Sequence, residues 1–356
     1  SIGLIAALAA APAFAQSTSA GVGGLVTDSS GQPVAGADVV ITHVESGTIS
    51  RASTDASGRY TARGLRVGGP YEITITKAGE GTRTEDNVYL SLNQAATVNA
   101  ALTGDITTLT AVTAIGTAGS AVFSTENKGV GTSVDGRRME ITPQGNRAID
   151  DIARLDPRIQ VLDQASGAIS VAGVNNRFNT ISVDGLSQGD PFGLTANGMP
   201  YTGSPISVDT IAAYDLKVSD YDVSADAVGA TINAVTKSGT NEFRGSVYYA
   251  LKDAGSMVAS RDGEDYALFD QDETRGLTIG GPIIKDRLFF FASYEEQEVS
   301  DFGGATPADG VANGLISMSD IERAIQIADD LGIRDNAYGA LGVNLENKRY
   351  LAKIDW

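Results

Sequence analysis

The clearest alternation of apolar and polar positions lies in the last third of the chain. Phe243, Gly245, Val247, Tyr249 and Leu251 share one parity, and Arg244, Ser246, Tyr248, Ala250 and Lys252 share the other. Tyr350, Ala352, Ile354 and Trp356 alternate in the same way with Arg349, Leu351, Lys353 and Asp355. A period of two predicts strands with one apolar and one polar face. Thr274 to Pro282, with Leu277 and Ile279 on one face, and Leu288 to Gln297, opening on Phe289-Phe290-Phe291, predict two more. The triple Phe suits an interfacial aromatic girdle or, alternatively, a sandwich core strand. Strands of about 9–11 residues are long enough to cross a bilayer obliquely. Ile283-Ile284-Lys285-Asp286 makes a short link between the second and third strands, while about 20 and about 50 residues make the other two links. Short turns on one side and long loops on the other fit an outer-membrane barrel. In the longest loop, Ser319-x-x-Glu322 forms a capping box. The stripe Ile321, Ala324, Ile325 and Ala328 then predicts a helix ending at Gly332.

Earlier in the chain the pattern changes twice. Within residues 20–102, Val39-Val40-Ile41, Tyr60-Thr61-Ala62 and Tyr71 to Ile75 read as short strands. The turn signals Asp28 to Gly31, Asp55 to Gly58 and Gly68-Gly69-Pro70 separate them, which predicts a small β-sandwich. Residues 103–130 are rich in Thr, Ala, Gly and Ser and read as an extended linker. Inside it, residues 109–115 alternate apolar with small or polar side chains, as a segment able to add to a partner's sheet edge would. In residues 131–241, Asn146 to Leu155 predicts a short helix striped by Ile149, Ile152 and Ala153. Ile169 to Gly173 and Asn179 to Gly185 predict half-buried strands.

Composition narrows the chemistry. The 356 residues carry a net charge of −18, which opposes binding to nucleic acid phosphates. No Cys and one His, His43, leave no disulfide, thiol nucleophile or zinc-peptidase motif. Gly185-Leu186-Ser187-Gln188-Gly189 matches a nucleophile elbow, but the lone base candidate sits in the predicted sandwich, so no enzyme is expected. Asp209, Asp215, Asp220, Asp222 and Asp226 lack EF-hand spacing and read as a solvated face. The acidic loop residues Asp262, Glu264, Asp265, Asp270, Asp272 and Glu273 could face lipopolysaccharide phosphates through divalent ions. Ile2 to Phe14 is apolar and ends in Ala13-Phe14-Ala15, as a secretory signal peptide (1–15) would. With no initiator Met and an ending inside a strand, the sequence reads as a fragment.

Several stretches resemble known families. Gly24-x-Val26-x-Asp28-x-x-Gly31-x-Pro33-Val34-x-Gly36-Ala37, followed by Thr54-Asp55-x-x-Gly58-x-Tyr60, resembles the carboxypeptidase-regulatory-like domain. That domain is a prealbumin/Ig-like sandwich without peptidase machinery. Val183-Asp184-Gly185, the spaced pair Ile206 and Ile211 (expected as a helix) and the run Gly229 to Asn241 resemble the plug of TonB-dependent outer-membrane receptors. Asn241 to Ser246 and Gly280 to Phe291 resemble their Oar-like branch.

The resemblance implies a mainly β chain. A β-sandwich (20–102) is followed by a linker with a TonB box (103–130) and an α+β plug (131–241). Residues 242–356 would then be the first four antiparallel strands of an incomplete barrel of about 22 strands. The TonB box would be Leu109, Thr110, Ala111, Val112, Thr113, Ala114 and Ile115. A ligand-facing plug loop would present Ser187, Asp190, Phe192, Leu194 and Met199. Implied partners are a TonB-type energy transducer, outer-membrane lipid and lipopolysaccharide, and a carbohydrate, peptide or protein ligand. No cofactor and no metal are implied. The location would be the outer membrane of a Gram-negative bacterium, with plug and sandwich on the periplasmic side. The alternative is a structural or adhesive envelope protein that uses the sandwich as its binding module. Two departures from the family pattern stand out: Ala172 replaces an expected Arg of a plug-to-barrel lock, with Arg177 nearby as a substitute, and Ala230 replaces a Gly.

Overall fold

A computed structural model describes residues 18–104, 106–109 and 129–356, apart from 146, 164–166, 221–228, 333–343 and parts of 191–203, 257–268 and 301–313. The signal-peptide segment and Thr110 to Ile115 therefore lie outside the described residues. The chain divides into two compact units. One comprises residues 1–244, 279–292 and 351–356; the other comprises 245–278 and 293–350.

The first unit opens with β1 (Ala20–Thr27), β2 (Asp38–His43), β3 (Ile49–Ser53), β4 (Arg59–Leu65), β5 (Gly68–Lys77), β6 (Gly81–Leu90), β7 (Ala95–Thr97), β8 (Ala100–Ala101) and β9 (Ile106–Leu109). One sheet runs β4-β1-β7 with β8 also on β1, and the other runs β3-β2-β5-β6-β9. Alternate residues point between the sheets: Val22, Val26, Tyr60 and Leu65 from the first share a core with Val39, Ile41, Ile73 and Ile75 from the second. Two Asp-x-x-Gly turns are built alike. Asp28 Oδ1 accepts from the amides of Ser30 (2.8 Å) and Gln32 (2.9 Å), and Asp55 Oδ1 from those of Ser57 (2.8 Å) and Arg59 (2.9 Å). Gly58 has φ +71°, and a Cβ there would stand 2.6 Å from the Val26 carbonyl oxygen, so only glycine closes this turn. Gly68-Gly69-Pro70, expected as a turn, instead opens β5, where the pairing with β6 shifts register between Gly68 and Tyr71.

A second sheet system follows: β10 (Gly129–Asp135), α1 (Gly136–Glu140), α2 (Ile149–Ala153), β11 (Ile159–Asp163), β12 (Ala168–Val171), β13 (Thr180–Val183), β14 (Leu186–Ser187), β15 (Ile211–Asp220) and β16 (Thr231–Thr236). The main sheet runs β10-β15-β16-β13-β14, with β13 parallel to β16, and β11-β12 forms a separate hairpin. Ile149 and Ile152 of α2 pack with Ile169, Val171, Ile181, Leu216 and Ile232. The helix expected over 146–155 is thus a single short turn region. The helix expected around Ile206 to Ile211 is one 3-10 turn, Val208–Thr210, that leads directly into β15.

The remaining elements are β17 (Arg244–Asp253), β18 (Ser260–Arg261), β19 (Glu264–Asp265), β20 (Gln271–Ile284), β21 (Leu288–Ser300), α3 (Met318–Asp330) and β22 (Leu345–Asp355). Four of them hydrogen-bond in the order β17-β20-β21-β22. All four strands expected from alternation are present, and their parities hold. Val247, Tyr249, Leu277, Ile279, Tyr350 and Ile354 are exposed, while Asp272, Thr274, Thr278, Ser293 and Glu295 are buried. Helix α3 starts two residues before the expected box: Ser317 is its N-cap, its Oγ accepting from the Asp320 amide at 3.2 Å. Gly332 follows the helix at φ +70°, as expected of its end. No helix among the described residues is long and apolar enough to cross a membrane, which has no bearing on strands.

Candidate functional site

Three places bear on function: the edge from which residues 109–115 depart, the exit from the second sheet system into β17, and the loop after β14. At the first, β9 lies parallel to β6, with Thr82 opposite Ile106, Arg83 opposite Thr107, Thr84 opposite Thr108 and Glu85 opposite Leu109. Leu109 is the one predicted box residue that is described.

At the exit, Gly239, Thr240 and Asn241 are constrained by close approach or by hydrogen bonds. A Cβ on Gly239 would stand 2.3 Å from the Phe290 carbonyl oxygen and 2.7 Å from that of Gly281, so the chain passes β20 and β21 here only as glycine. Asn241 Nδ2 donates to Asp286 Oδ1 at 2.7 Å, and Asn241 Oδ1 accepts from the Asp286 amide at 2.8 Å. The sandwich grips the same stretch. The Asn241 amide donates to the Glu45 carbonyl at 2.9 Å. Arg244 Nη1 meets Glu45 Oε1 at 2.5 Å. Arg66 Nη1 donates to the Gly239 carbonyl at 3.0 Å, and its guanidinium carbon sits 4.9 Å from the centre of the Phe289 ring.

Arg66 is itself positioned through His43. Tyr71 Oη donates to the Arg66 carbonyl at 2.8 Å, and the Tyr71 and His43 rings meet edge-on at 4.8 Å. His43 Nδ1 lies 2.8 Å from Ser46 Oγ. Burial, reinforced by the Arg66 charge, pulls His43 down to about 4. It is a neutral structural residue engaged by Ser46 and Tyr71. Asn93 Nδ2 adds a bond to Asp215 Oδ2 at 3.0 Å, and Leu92 packs with Ala213 and Val235.

The family-like Val183-Asp184-Gly185 also has a physical reason. Asp184 turns left-handed (φ +48°) and caps β16: Oδ1 accepts from the Thr236 amide at 2.9 Å and Oδ2 from Thr236 Oγ1 at 2.6 Å. Gly229 is tight against the Phe178 carbonyl oxygen, where a Cβ would stand at 2.7 Å, whereas Ala230 is simply buried. The first of the two positions is the one that demands glycine. Ala172, at the expected lock position, sits left-handed (φ +50°) with its amide donating to the Arg158 carbonyl at 2.9 Å.

In the loop after β14, Asp190 organises the backbone, its Oδ1 accepting from the Phe192 amide and its Oδ2 from the Thr195 amide, both at 2.9 Å. Ser187 and Phe192 are exposed, Phe192 at 81%. Met199 does not face outward: at 5% exposure it packs in the core with Ile206 and Tyr214, so it is withdrawn from the ligand-facing set. Leu194 lies outside the described residues.

Of the acidic group around β15, the two members whose side chains are described are engaged by partners rather than solvated. Asp209 pairs with Arg147, and Asp215 is buried against Asn93. Asp220 ends β15, while Asp222 and Asp226 lie outside the described residues. Asp272, expected in the acidic loop, is buried in β20 and pairs with Lys252 Nζ at 2.9 Å. Among the described residues, the one carboxylate group close enough to share a cation is Glu296, Glu298 and Glu346, and Arg275 and Lys348 already pair with its members.

Comparison with known proteins agrees with this layout. Residues 21–103 match the carboxypeptidase regulatory-like domain, and residues 235–330 match an outer membrane beta barrel domain. The chain is 29% identical to the TonB-dependent transporter Oar of Myxococcus xanthus, over 79% of this chain and 27% of that protein. The chain therefore spans about a quarter of the length of that curated relative. Among solved structures, the siderophore receptor PirA from Acinetobacter baumannii shares 18% identity at a TM-score of 0.37, covering 48% of this chain and 24% of its own. The unliganded ferric citrate transporter FecA shares 18% at 0.37, covering 52% and 27%. The sequence resemblance to the Oar-like TonB-dependent receptors thus holds over most of the chain, and the chain is an outer-membrane protein.

Proposed function

We propose that this chain is part of a TonB-dependent outer-membrane receptor that takes up a ligand through a plugged β-barrel. In this reading residues 20–102 are a periplasmic sandwich, 103–130 a linker bearing the TonB box, 131–241 the plug and 242–356 the first strands of the barrel wall. The observation that carries the reading is the two-faced β17-β20-β21-β22 sheet. One face exposes Val247, Tyr249, Leu277, Ile279, Tyr350 and Ile354, as a lipid-facing wall does. The other buries hydrogen-bonded charge, including Arg349 with Glu295 at 2.8 Å. A soluble sheet would cover the first face rather than leave it bare.

Ligand contacts fall to the exposed part of the loop after β14, with Ser187 and Phe192 presented by the Asp190 turn. The transducer binds residues 109–115 by strand addition and draws on the plug through the linker. Deleting residues 109–115 from the full-length receptor tests the reading. Energised uptake is expected to stop while the protein remains in the outer membrane. Retention of uptake, or of ligand-dependent adhesion as the sole activity, would instead favour a structural or adhesive protein.

A further inference from the structure

We infer that the edge of β6 is a dock for the chain segment leading into the TonB box, and that the docked segment is displayed there as an edge strand for the transducer to extend. The inference rests on the reading of residues 109–115 as that box. It comes from how the chain reaches β6. After β8 the chain leaves the first sheet of the sandwich and crosses to the second, where β9 runs parallel to β6 over four residue pairs. Two glycines permit the crossing. Gly104 has φ +80°, and its amide donates to the Glu80 carbonyl at 2.9 Å. Gly81 has φ +109°, and a Cβ there would stand 3.1 Å from the Gly104 nitrogen.

Among the described residues the last pair joins Glu85 to Leu109, the first residue of the box. Two residues further along β6, Asn87 is left-handed at φ +57°, so a strand following this edge loses its straight partner there. β9 is the outermost strand of its sheet, so among the described residues no strand lies on its other side. Such an edge is a template for an added strand, held by main-chain hydrogen bonds that make little demand on sequence. The four residues that lead up to and include the first residue of the recognition segment are already extended before the partner arrives. The entropy cost of ordering them does not fall on the binding step.

The test uses the full-length receptor in detergent and the soluble periplasmic domain of the TonB-type transducer from the same organism. Gly104→Pro removes the donor to Glu80 and excludes φ +80°. Gly81→Val blocks the crossing independently. Hydrogen exchange is followed at 82–85 and 106–109, with the amides of β2 and β5 reporting that the sandwich remains folded. Expected is loss of protection at 82–85 and 106–109 in both variants, with transducer binding weakened by about tenfold or more. Unchanged or tighter binding after undocking overturns the inference, as does absence of protection at these amides in the parent protein. Val112→Pro separates the two ideas: if it leaves transducer binding intact, the box reading fails, whatever the glycine variants do. If Gly81→Val disturbs its own hairpin, Gly104→Pro, which lies outside the core, decides the matter.

Discussion

At the scale of single residues, two buried titratable groups contribute to the acid sensitivity of the chain. His43 is held neutral by burial, down to about 4 from an ordinary 6.5. The unfolded chain therefore binds a proton that the folded chain refuses across that interval. Stability from this group is complete above pH 6.5 and declines as pH falls from 6.5 to about 4. His43→Gln, which does not titrate, is expected to flatten the dependence of the urea midpoint on pH in that window. Asp156 is the opposite case. Arg158 donates to it from Nε at 2.8 Å and Nη2 at 2.5 Å, and Thr132 Oγ1 donates at 2.8 Å. The Arg158 hydrogen bonds, assisted by that of Thr132, pull the carboxyl down to about 2. Its contribution is present above the ordinary 3.8 and is lost as pH falls from there toward 2. Asp156→Ala leaves Arg158 and Thr132 without their shared acceptor and is expected to cost about 2–3 kcal/mol in urea denaturation at neutral pH.

At the scale of elements, legibility followed the two-residue period. β2, β4, β5 and the four long strands were readable because one face of each is apolar and the other is not. β6 was not, because the strand Gly81 to Leu90 carries Arg83, Glu85 and Asp86 and buries only Leu90 fully. β1 was hidden by its glycines, which pack where side chains would not fit: at Gly24 a Cβ would stand 1.8 Å from the Val98 carbonyl oxygen. The stretch before β15 read as helix from the spacing of Ile206 and Ile211, whereas only the 3-10 turn Val208–Thr210 forms there before the chain extends. Met199 was misread because an apolar residue in a Gly- and Pro-rich loop looks presented, and nothing local reveals that it turns inward.

The inner face of the long strands carries what alternation cannot show, namely which polar residues meet. Arg349 on β22 bonds Glu295 on β21 at 2.8 Å and Gln297 Oε1 at 3.2 Å, while Tyr248 Oη on β17 reaches Glu295 Oε2 at 2.9 Å. Arg349→Met strands a buried carboxylate and is expected to cost about 3–5 kcal/mol, read as a lower urea midpoint in detergent. Adding Glu295→Leu should recover much of that loss, because the second substitution removes the uncompensated charge.

At the scale of the molecule, the sandwich is more than a tethered spacer. The contacts that seat it came from no local pattern, because Glu45 and Arg66 lie far in sequence from Gly239, Asn241 and Arg244. Together they clamp the stretch between β16 and β17, which joins the second sheet system to the long strands. Arg66 bridges a main-chain carbonyl and the Phe289 ring, so no single replacement conserves both contacts. Arg66→Met keeps an apolar stem over the ring but loses the hydrogen bond and the charge. It is expected to increase hydrogen exchange at residues 239–243 by roughly fivefold to thirtyfold, as an opening made 1–2 kcal/mol easier would. The folded amides of β2 and β5 should be unaffected. Arg66→Lys retains charge with poorer geometry and should fall between the two. If exchange at 239–243 is the same in all three proteins, the sandwich does not hold the exit closed.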